Sequence, residues 1–251
     1  MNWFRDFNNC LPAWPDNYVS FDIETTGFSP TQDLVLEFGY CFVEDRKVAN
    51  KGSILLDWSH ADGEVPQGVL RDKLERTRAS MASKGLNYPF TVEMLAKEGV
   101  HPIDGVQEIA ELLDGCIKDE LHILTHNGYR FDVPMLQGTF ADYIDSKLIL
   151  KPNLMFDTGG MEKASQTGQL PKPTDTLESF FCHLSSGRGV KWALWGHSLE
   201  KYQLCASHEL DRNKSHRGGY DAWVTHLLFE LYRQLSEFEG SIEQFLQTVD
   251  V

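Results

Sequence analysis

Alternating hydrophobic and polar residues predict an early β-strand, the stretch YVSFDIETTG, around which the rest of the chain is organised. Successive side chains of a strand point to opposite faces, so Phe21 and Ile23 share one face while Asp22 and Glu24 share the other. Two carboxylates side by side in a half-buried strand repel each other and lose hydration, which costs several kcal/mol per ion unless something replaces that hydration. The pattern therefore favours a divalent metal ion at this strand.

Two further strands follow the first in quick succession. Residues 27–30 have turn chemistry, residues 34–43 form a β-branched and aromatic run, and residues 52–56 offer a third strand. The short links between the three strands predict an antiparallel arrangement. Residues 58–100 have weak periodicity, with short helices expected at 69–83 and 92–98, and a long excursion of this kind is often functional.

The second half of the chain alternates helical and strand-like patterns. Helical spacing is clear from Val106 to Ile117, with Asp104 as the expected N-cap, and Pro134 suits the first turn of a later helix that runs to about Tyr143. The remaining elements are strands at 121–125 and 152–157, a loop at 159–173, helices at 176–184, 198–206 and 220–238, and a capping box at Ser241 that opens a last short helix. These elements predict an α/β fold with a mixed sheet covered by helices.

The expected organisation is a single main domain. A length of 251 residues with 41% hydrophobic content suits one large domain, which we place at residues 18–240. Residues 1–17 are expected to be a lead-in segment that packs through Trp3, Phe4 and Trp14, and residues 241–251 a short C-terminal helix.

Composition excludes several classes of protein. There is no run of 18 apolar residues for a membrane span, and the amino terminus lacks a secretion signal, so an intracellular, cytoplasmic or nuclear, protein is expected. The five cysteines are scattered, odd in number and without a C-x-x-C pair, which indicates reduced, mostly buried thiols rather than a disulfide scaffold or a zinc site.

The net charge of −14 argues against a protein that coats nucleic acid with a broad basic surface, although it does not exclude an enzyme that grips one strand end. Residues 71–84 nevertheless carry a local surplus of three positive charges, which indicates either a solvated face or phosphate contacts. A second basic cluster at residues 212–217 includes Arg217, which we expect to contact substrate because the cluster adjoins the chemistry described next.

Further acids occupy core-facing or helix-entry positions. The apolar stripe of the last long helix, extended one step back, reaches Asp221, an acid that needs a partner if it is buried. His216 precedes it, and Gly218 and Gly219 can turn the chain between them, so His216 is expected on a loop close to Asp221. Asp132 lies in the first turn of its helix, where the helix dipole favours a negative charge.

Three separated motifs, taken together, resemble the DEDDh (DnaQ-like) 3′→5′ exonucleases, which have a ribonuclease-H-like fold. The motifs are DIETTGF from Asp22, the stretch from Asn127 to Asp132, and His216 with four residues before Asp221. They arise in the family's order on matching strand and helix entries. The resemblance covers roughly residues 18–232. The second motif is most similar to that of three-prime repair exonucleases, although the chain has no recognisable polyproline insert and a more acidic balance.

The resemblance implies a five-stranded mixed sheet, with three antiparallel strands followed by two parallel ones, and roles for individual residues. Asp22, Glu24, Asp132 and Asp221 would hold two Mg²⁺ or Mn²⁺ ions, and His216 would take the proton of the attacking water. Thr25 and Phe28 match positions that touch the terminal nucleotide, and Asn127 helps to fix the site in the family.

The implied function is a two-metal-ion 3′→5′ exonuclease that acts on the 3′ end of single-stranded DNA and releases nucleoside 5′-monophosphates. Alternatives are a 3′→5′ exoribonuclease of the same family and a catalytically silent nucleic-acid-binding or scaffold protein on the same fold. A haloacid-dehalogenase-type phosphatase is disfavoured because Glu24 matches its motif poorly. The oligomeric state stays open, although the three-prime repair type is dimeric.

Several of these residues also have simpler interpretations. Asp132 could serve only the helix start, Phe28 could be core, and Asn127 could serve its turn. Tryptophans 192, 195 and 223 are interpreted as core residues rather than base platforms, and histidines 126, 197 and 208 as structural or exposed.

Overall fold

A five-stranded mixed sheet forms the centre of the protein. The computed structural model describes residues 2–10, 14–59, 65–184 and 190–248. Its strands are β1 (Tyr18–Thr25), β2 (Val35–Glu44), β3 (Lys47–Leu55), β4 (His122–Thr125) and β5 (Met155–Asp157). They lie in the order β3-β2-β1-β4-β5, with β1, β2 and β3 antiparallel and β1, β4 and β5 parallel. The predicted α/β class and the predicted three-plus-two strand arrangement are confirmed.

Helices cover both faces of the sheet. They are α1 (Trp3–Asn8), α2 (Gln67–Ala82), α3 (Val92–Glu98), α4 (Pro102–Lys118), α5 (Asp132–Ile144), α6 (Thr158–Thr167), α7 (Leu177–His183), α8 (Leu199–Lys201), α9 (Leu204–Ser207), α10 (Gly218–Glu237) and α11 (Ile242–Thr248). On one face, Phe21 and Ile23 join a hydrophobic cluster with α2, α4 and α5. On the other face, Tyr18 joins a second cluster with α1, α6, α7 and α10. The middle strand β1 is thus covered on both sides, which is why acids on it are costly to bury.

The short helices of the excursion at residues 58–100 occur close to where the sequence predicts them, as α2 and α3. The strand boundaries differ more. β3 begins at Lys47 instead of residue 52, because its first half is an exposed edge with polar side chains and gives no hydrophobic pattern. β5 contains only three residues, and the rest of the predicted strand lies outside the sheet.

The loop predicted at residues 159–173 is wrong for its first half, because Thr158–Thr167 forms helix α6. The side chain of Asp157 caps this helix by accepting a hydrogen bond from the backbone of Gly160 at 2.8 Å. A methyl group at Gly160 would lie 2.5 Å from the ring of Phe181, so this glycine serves close packing rather than a turn.

Other element boundaries also need correction. The single helix predicted at residues 198–206 is a π-helical turn at Leu194–Ser198 followed by α8 and α9, and the chain breaks at Gln203, whose φ is 59°. Helix α4 begins at Pro102, so Asp104 lies in its first turn instead of capping it. The lead-in residues form α1, which the sequence pattern did not predict, although Trp3 and Phe4 are buried as expected.

The five cysteines are all free, as predicted, but only two of them, Cys41 and Cys116, are buried. The capping box predicted at Ser241 is confirmed, since its hydroxyl accepts from the backbone of Gln244 at 3.3 Å and the Gln244 side chain accepts from the Ser241 backbone at 2.8 Å. Among the described residues, none of the helices has the length and apolar character needed to cross a bilayer.

Helix α10 packs against β1 and β2 with unusually close backbone contact at its start. A methyl group at Gly39, which faces Asp22 in the β1–β2 ladder, would lie 1.7 Å from the carbonyl carbon of Gly218. Gly218 and Gly219, which the sequence predicts to turn the chain before the helix, instead form its first turn. These glycines let α10 lie directly on the sheet, and this close packing fixes the position of the Asp221 side chain relative to β1.

Candidate active site

A cleft of about 840 Å³ opens at the carboxyl end of β1. Its lining comes from the end of β1, the following turn at residues 26–33, helix α2, and residues 192–196 and 212–221. The carboxyl ends of parallel strands are where α/β folds place ligands, because several loops meet there. The cleft therefore lies where the sequence predicts the chemistry.

Asp22, Glu24 and Asp221 line this cleft, and the buried Asp132 lies behind them, close enough to interact electrostatically with Asp22. Asp22 and Glu24 project from β1, Asp132 begins α5, and Asp221 lies in the first turn of α10. Asp132 accepts a hydrogen bond from the backbone of Ile23 at 3.2 Å, which holds the start of α5 against β1. Glu24, Asp132 and Asp221 are buried and Asp22 is half-buried. The structure thus brings together all four predicted acids.

The pKa values of these acids reflect burial without enough positive charge. Burial, followed by repulsion from Asp132, Glu24 and Asp221, raises the pKa of Asp22 well above its ordinary value. Burial raises the pKa of Asp132 to about 8, against a hydrogen bond from Ile23 that lowers it. Burial and the charge of Glu24 raise the pKa of Asp221 to about 7. The positive charges of His216 and Arg217 offset this repulsion only in part.

Divalent cations fit this donor set. Candidate ligand atoms of Glu24, His216 and Asp221 all lie within 4.8 Å of one another. Carboxylate oxygens are the preferred ligands of Mg²⁺ and Mn²⁺, and a cation would supply the positive charge that the buried acids lack. The residues present therefore suit a hard divalent metal.

His216 lies between a 3₁₀ turn at Arg212–Lys214 and the start of α10, with a φ of 59°. Its backbone N–H donates to Asp221 at 3.0 Å, and its Nδ1 lies 3.7 Å from an oxygen of Glu24. Burial acts to lower the pKa of His216, but the interaction with Glu24 outweighs it and raises that pKa above its ordinary value. The Nε2 atom is buried and has no hydrogen-bond partner among the described residues. His216 is on a loop next to Asp221, as predicted, and one of its ring nitrogens is free for a ligand.

The turn after β1 forms the mouth of the cleft. The hydroxyl of Thr25 donates to the carbonyl of Gly27 at 2.6 Å, which fixes the turn. Phe28 is 71% exposed, and its ring centre lies 5.7 Å from that of Phe131. An exposed phenylalanine at the mouth of a polar cleft is incompatible with the interpretation of Phe28 as a core residue.

Two predicted substrate-contacting residues do not line the cleft. Asn127 has a φ of 72°, its backbone donates to Asp157 at 2.7 Å, and its side chain accepts from Lys163 at 2.7 Å. The guanidinium of Arg217 pairs with the buried carboxylate of Glu37 through Nε at 3.2 Å. The geometry therefore favours structural roles for both residues.

The structure also shows contacts that the sequence analysis did not predict. The indole of Trp195 donates to Asp221 at 2.8 Å, across 26 residues of sequence, so this tryptophan is buried but also belongs to the site. The hydroxyl of Tyr88 donates to the carbonyl of Thr25 at 2.8 Å. Neither contact has a local sequence signal. By contrast, the basic residues of α2 that line the cleft were indicated by the surplus of positive charge at residues 71–84.

The three histidines interpreted as structural or exposed fit that description. His126 lines the cleft, but both its ring nitrogens are engaged, with the hydroxyl of Thr158 at 2.9 Å and the carbonyl of Trp192 at 2.7 Å. His197 lies 3.4 Å from the buried carboxylate of Glu162, and His208 contacts a neighbouring serine.

Sequence comparison finds similarity to part of two PolC-type DNA polymerases III of Mycoplasma species. No protein-family model matches the chain. It is 25% identical over 237 residues to a PolC-type DNA polymerase III of Mycoplasma pneumoniae, a match that covers 93% of the chain and 13% of that protein. It is 31% identical over 136 residues to the PolC-type DNA polymerase III of Mycoplasma genitalium, covering 51% of the chain and 8% of that protein. The chain thus spans only a small part of these relatives.

Structural comparison gives the same general architecture. The zinc-ion-bound form of the E. coli ExoI–ssDNA complex aligns with a TM-score of 0.56 at 15% identity, covering 94% of the chain and 43% of that protein. At this identity the likeness establishes the fold alone. The α/β, ribonuclease-H-like arrangement predicted from the sequence is therefore confirmed.

Proposed function

We propose that the protein is a DnaQ-like, DEDDh-type 3′→5′ exonuclease that removes nucleotides from the 3′ end of single-stranded DNA as nucleoside 5′-monophosphates. The observation that carries this proposal is that Asp22, Glu24, Asp221 and His216 line one end of an open cleft, with Asp132 buried close to Asp22. The names of the sequence relatives, which are DNA polymerases, and of a structural neighbour bound to single-stranded DNA support DNA as the substrate.

The proposed reaction depends on divalent ions. Asp22, Glu24, Asp132 and Asp221 would hold two Mg²⁺ or Mn²⁺ ions, because these buried carboxylates lack any other adequate source of positive charge. When bound, such ions lower the pKa of water and neutralise charge that develops on the phosphate and on the leaving oxygen.

His216 is proposed to accept the proton of the attacking water. With Nδ1 directed at Glu24, the neutral imidazole carries its proton on that side and leaves the unpartnered Nε2 as the acceptor. Loss of the proton to Nε2 gives the hydroxide that attacks the phosphorus. The bond that breaks joins phosphorus to the 3′ oxygen of the preceding nucleotide, which leaves with the electron pair of that bond and takes up a proton from solvent. The product therefore keeps a 5′-phosphate and the shortened strand ends in a 3′-hydroxyl.

The mouth of the cleft is proposed to hold the terminal nucleotide. The exposed ring of Phe28, backed by Phe131, offers a flat apolar face for the last base. Thr25 lies at the end of β1 beside Glu24, where the sugar and phosphate of that nucleotide would meet the acids.

The experiment is digestion of end-labelled single-stranded DNA, duplex DNA and RNA with Mg²⁺, with the 3′ or the 5′ end chemically blocked. We expect single-stranded DNA with a free 3′ end to be shortened stepwise and a chelator to stop the reaction. Asp22→Asn should abolish turnover with the fold kept, and His216→Ala should lower the rate by about 10³-fold, a typical effect of losing a general base. Asp114→Asn, on the exposed face of α4, is the matched control with unchanged activity.

Four outcomes would contradict the proposal. Degradation that resists the chelator, or an active Asp22→Asn variant, would remove the metal-dependent site. Faster digestion of RNA than of DNA would favour the exoribonuclease alternative. Binding of DNA without any Mg²⁺-dependent shortening would favour the catalytically silent alternative.

A further inference from the structure

The lining of the cleft combines a basic segment with a group of apolar and aromatic residues. One wall, the basic wall, is built by α2 and the residues just after it, which contribute Lys73, Arg76, Thr77, Ser80 and Lys84. The rest of the lining includes the apolar and aromatic residues Phe28, Phe131, Trp192, Leu194 and Trp195. A single nucleic-acid strand matches both kinds of lining, since its backbone is anionic and its bases have flat apolar faces.

The face that α2 presents to the cleft follows from helical periodicity. Leu70 and Leu74 are buried in the core, whereas Lys73, Arg76 and Ser80, spaced by three and four residues, share the cleft side of the helix. The core anchors on one side therefore direct the polar side chains into the cleft.

Helix α2 is also tied directly to the turn after β1. The hydroxyl of Thr77 donates to the carbonyl of Thr26 at 2.6 Å, and the ammonium of Lys73 lies 3.0 Å from the carboxylate of Asp33. These bonds join α2 to the segment that carries Phe28. The position of the basic wall is thus fixed relative to the catalytic acids on β1.

The basic residues of this segment divide into two groups. Three are engaged within the protein: Arg71 pairs with Glu93, Lys73 pairs with Asp33, and Arg78 donates to the carbonyl of Phe90. Arg76 and Lys84 have no acidic partner in the described part of the chain. Arg76 donates only to the carbonyl of Asp72 in its own helix, at 3.2 Å. Both side chains are exposed and line the cleft.

We propose that Arg76 and Lys84 bind the phosphates of the nucleotides that precede the terminal one, and that α2 and the turn after it thereby form a phosphate track along the cleft. The inference rests on the proposed nuclease function. Arg76 lies within α2 and Lys84 lies two residues after its end, so the two cations meet the strand at different points of the cleft lining. Bases of the same strand then stack on the aromatic residues of the lining.

The test compares two substrates. One is a single-stranded DNA 20-mer; the other is the p-nitrophenyl ester of thymidine 5′-monophosphate, which contains the scissile phosphodiester but no preceding phosphate. The variants are Arg76→Gln and Lys84→Gln, and the control is Arg71→Gln, which removes a cation of the same helix that pairs with Glu93. Melting curves verify that each variant is folded.

We expect the ratio of kcat/KM for the 20-mer to kcat/KM for the ester to fall roughly tenfold in Arg76→Gln and in Lys84→Gln, the effect of one lost charge-assisted contact. The fall should appear in KM for the 20-mer. The slope of log KM against log salt should decrease by about 0.7 for each phosphate contact removed. Arg71→Gln should keep the wild-type ratio and slope.

The outcomes separate this inference from the proposed function. If the wild type hydrolyses both substrates and the two variants behave like Arg71→Gln, the phosphate track is refuted while the nuclease stands. If each variant loses the same activity on both substrates, the side chains act on the reacting centre and the track is again refuted. If the wild type hydrolyses neither substrate, the proposed function fails and the track fails with it.

Discussion

Replacing Gly39 by alanine tests the way α10 is seated on the sheet. Gly39 faces Asp22 in the β1–β2 ladder, and the added methyl group would lie 1.7 Å from the carbonyl carbon of Gly218 and 1.9 Å from the backbone nitrogen of Gly219. All of the close atoms belong to backbone, so no side-chain rotation relieves the clash. The start of α10, which carries Asp221, must therefore move away from β1.

The size of the effect follows from this displacement. The optimal van der Waals separation of non-bonded carbon atoms is about 3.5 Å, so the start of α10 must shift by roughly 2 Å. A misplacement of about 1 Å in a catalytic group can lower a rate by about 100-fold, so we expect at least that loss in Gly39→Ala. Overpacking of this kind lowers the free energy of unfolding by about 1–3 kcal/mol, which for a chain of this size lowers Tm by roughly 2–12 °C.

The assay is release of nucleotide from labelled single-stranded DNA, with Tm and the far-UV circular dichroism spectrum measured on the same samples. Gly115→Ala is the matched control, because it lies within α4 and a methyl group there would meet no atom within 4 Å. This control should keep wild-type activity and gain about 0.5–1 kcal/mol of stability from the better helix former. A Gly39→Ala protein with wild-type rate and Tm would refute the packing argument.

Three other predictions concern charges. Arg217→Gln should lower the free energy of unfolding by about 1.5–3 kcal/mol in a denaturant titration, because it removes hydrogen bonds to the buried carboxylate of Glu37. Unchanged stability together with a raised KM would instead support a contact between Arg217 and the substrate. Without metal, the pKa of Asp132 is raised from 3.8 to about 8 and that of Asp221 from 3.8 to about 7. Their contribution to the free energy of unfolding is therefore complete below pH 3.8 and is lost as pH rises through 7 to 8. Mg²⁺ should accordingly raise Tm more at pH 8 than at pH 6, and equal shifts would contradict this prediction. Burial lowers the pKa of His226 from 6.5 to about 4, so its contribution to the free energy of unfolding is present above pH 6.5 and is lost toward pH 4. Relative to His226→Gln, the wild type should lose at most about 3 kcal/mol of that free energy over this range, measured by denaturant titration. Parallel plots of stability against pH for the two proteins would refute the prediction.

The features that the sequence predicts well are those with local signals. The alternation in β1 and the apolar stripe of α10 arise from neighbouring residues. Together with the three motifs and their resemblance to a known family, they identified the acids and His216 that the structure brings together. The failures have long-range causes. Helix α6 was missed because Gly160, which normally disfavours a helix, is there to admit the ring of Phe181.

The same limit applies to the side chains around the cleft. Arg217 adjoins His216 in the sequence, so a substrate contact was a natural prediction, but its partner Glu37 lies 180 residues away on β2. The bond between Trp195 and Asp221 likewise depends on a π-helical turn that no local pattern specifies. Spacing along the chain reports which groups are available, whereas only the fold decides which of them become paired.

The contrast between an acidic exterior and a basic cleft wall has a consequence for ionic strength. The net charge of −14 repels a polyanion at long range, while Arg76 and Lys84 attract it only once it has entered. Salt screens the outer repulsion, which acts over distances beyond the Debye length of about 8 Å at physiological ionic strength, before it disrupts close ion contacts. Turnover of a long strand should therefore pass through a maximum at intermediate salt concentration. There the approach of the strand to the protein is no longer hindered, and the ion contacts within the cleft are still formed.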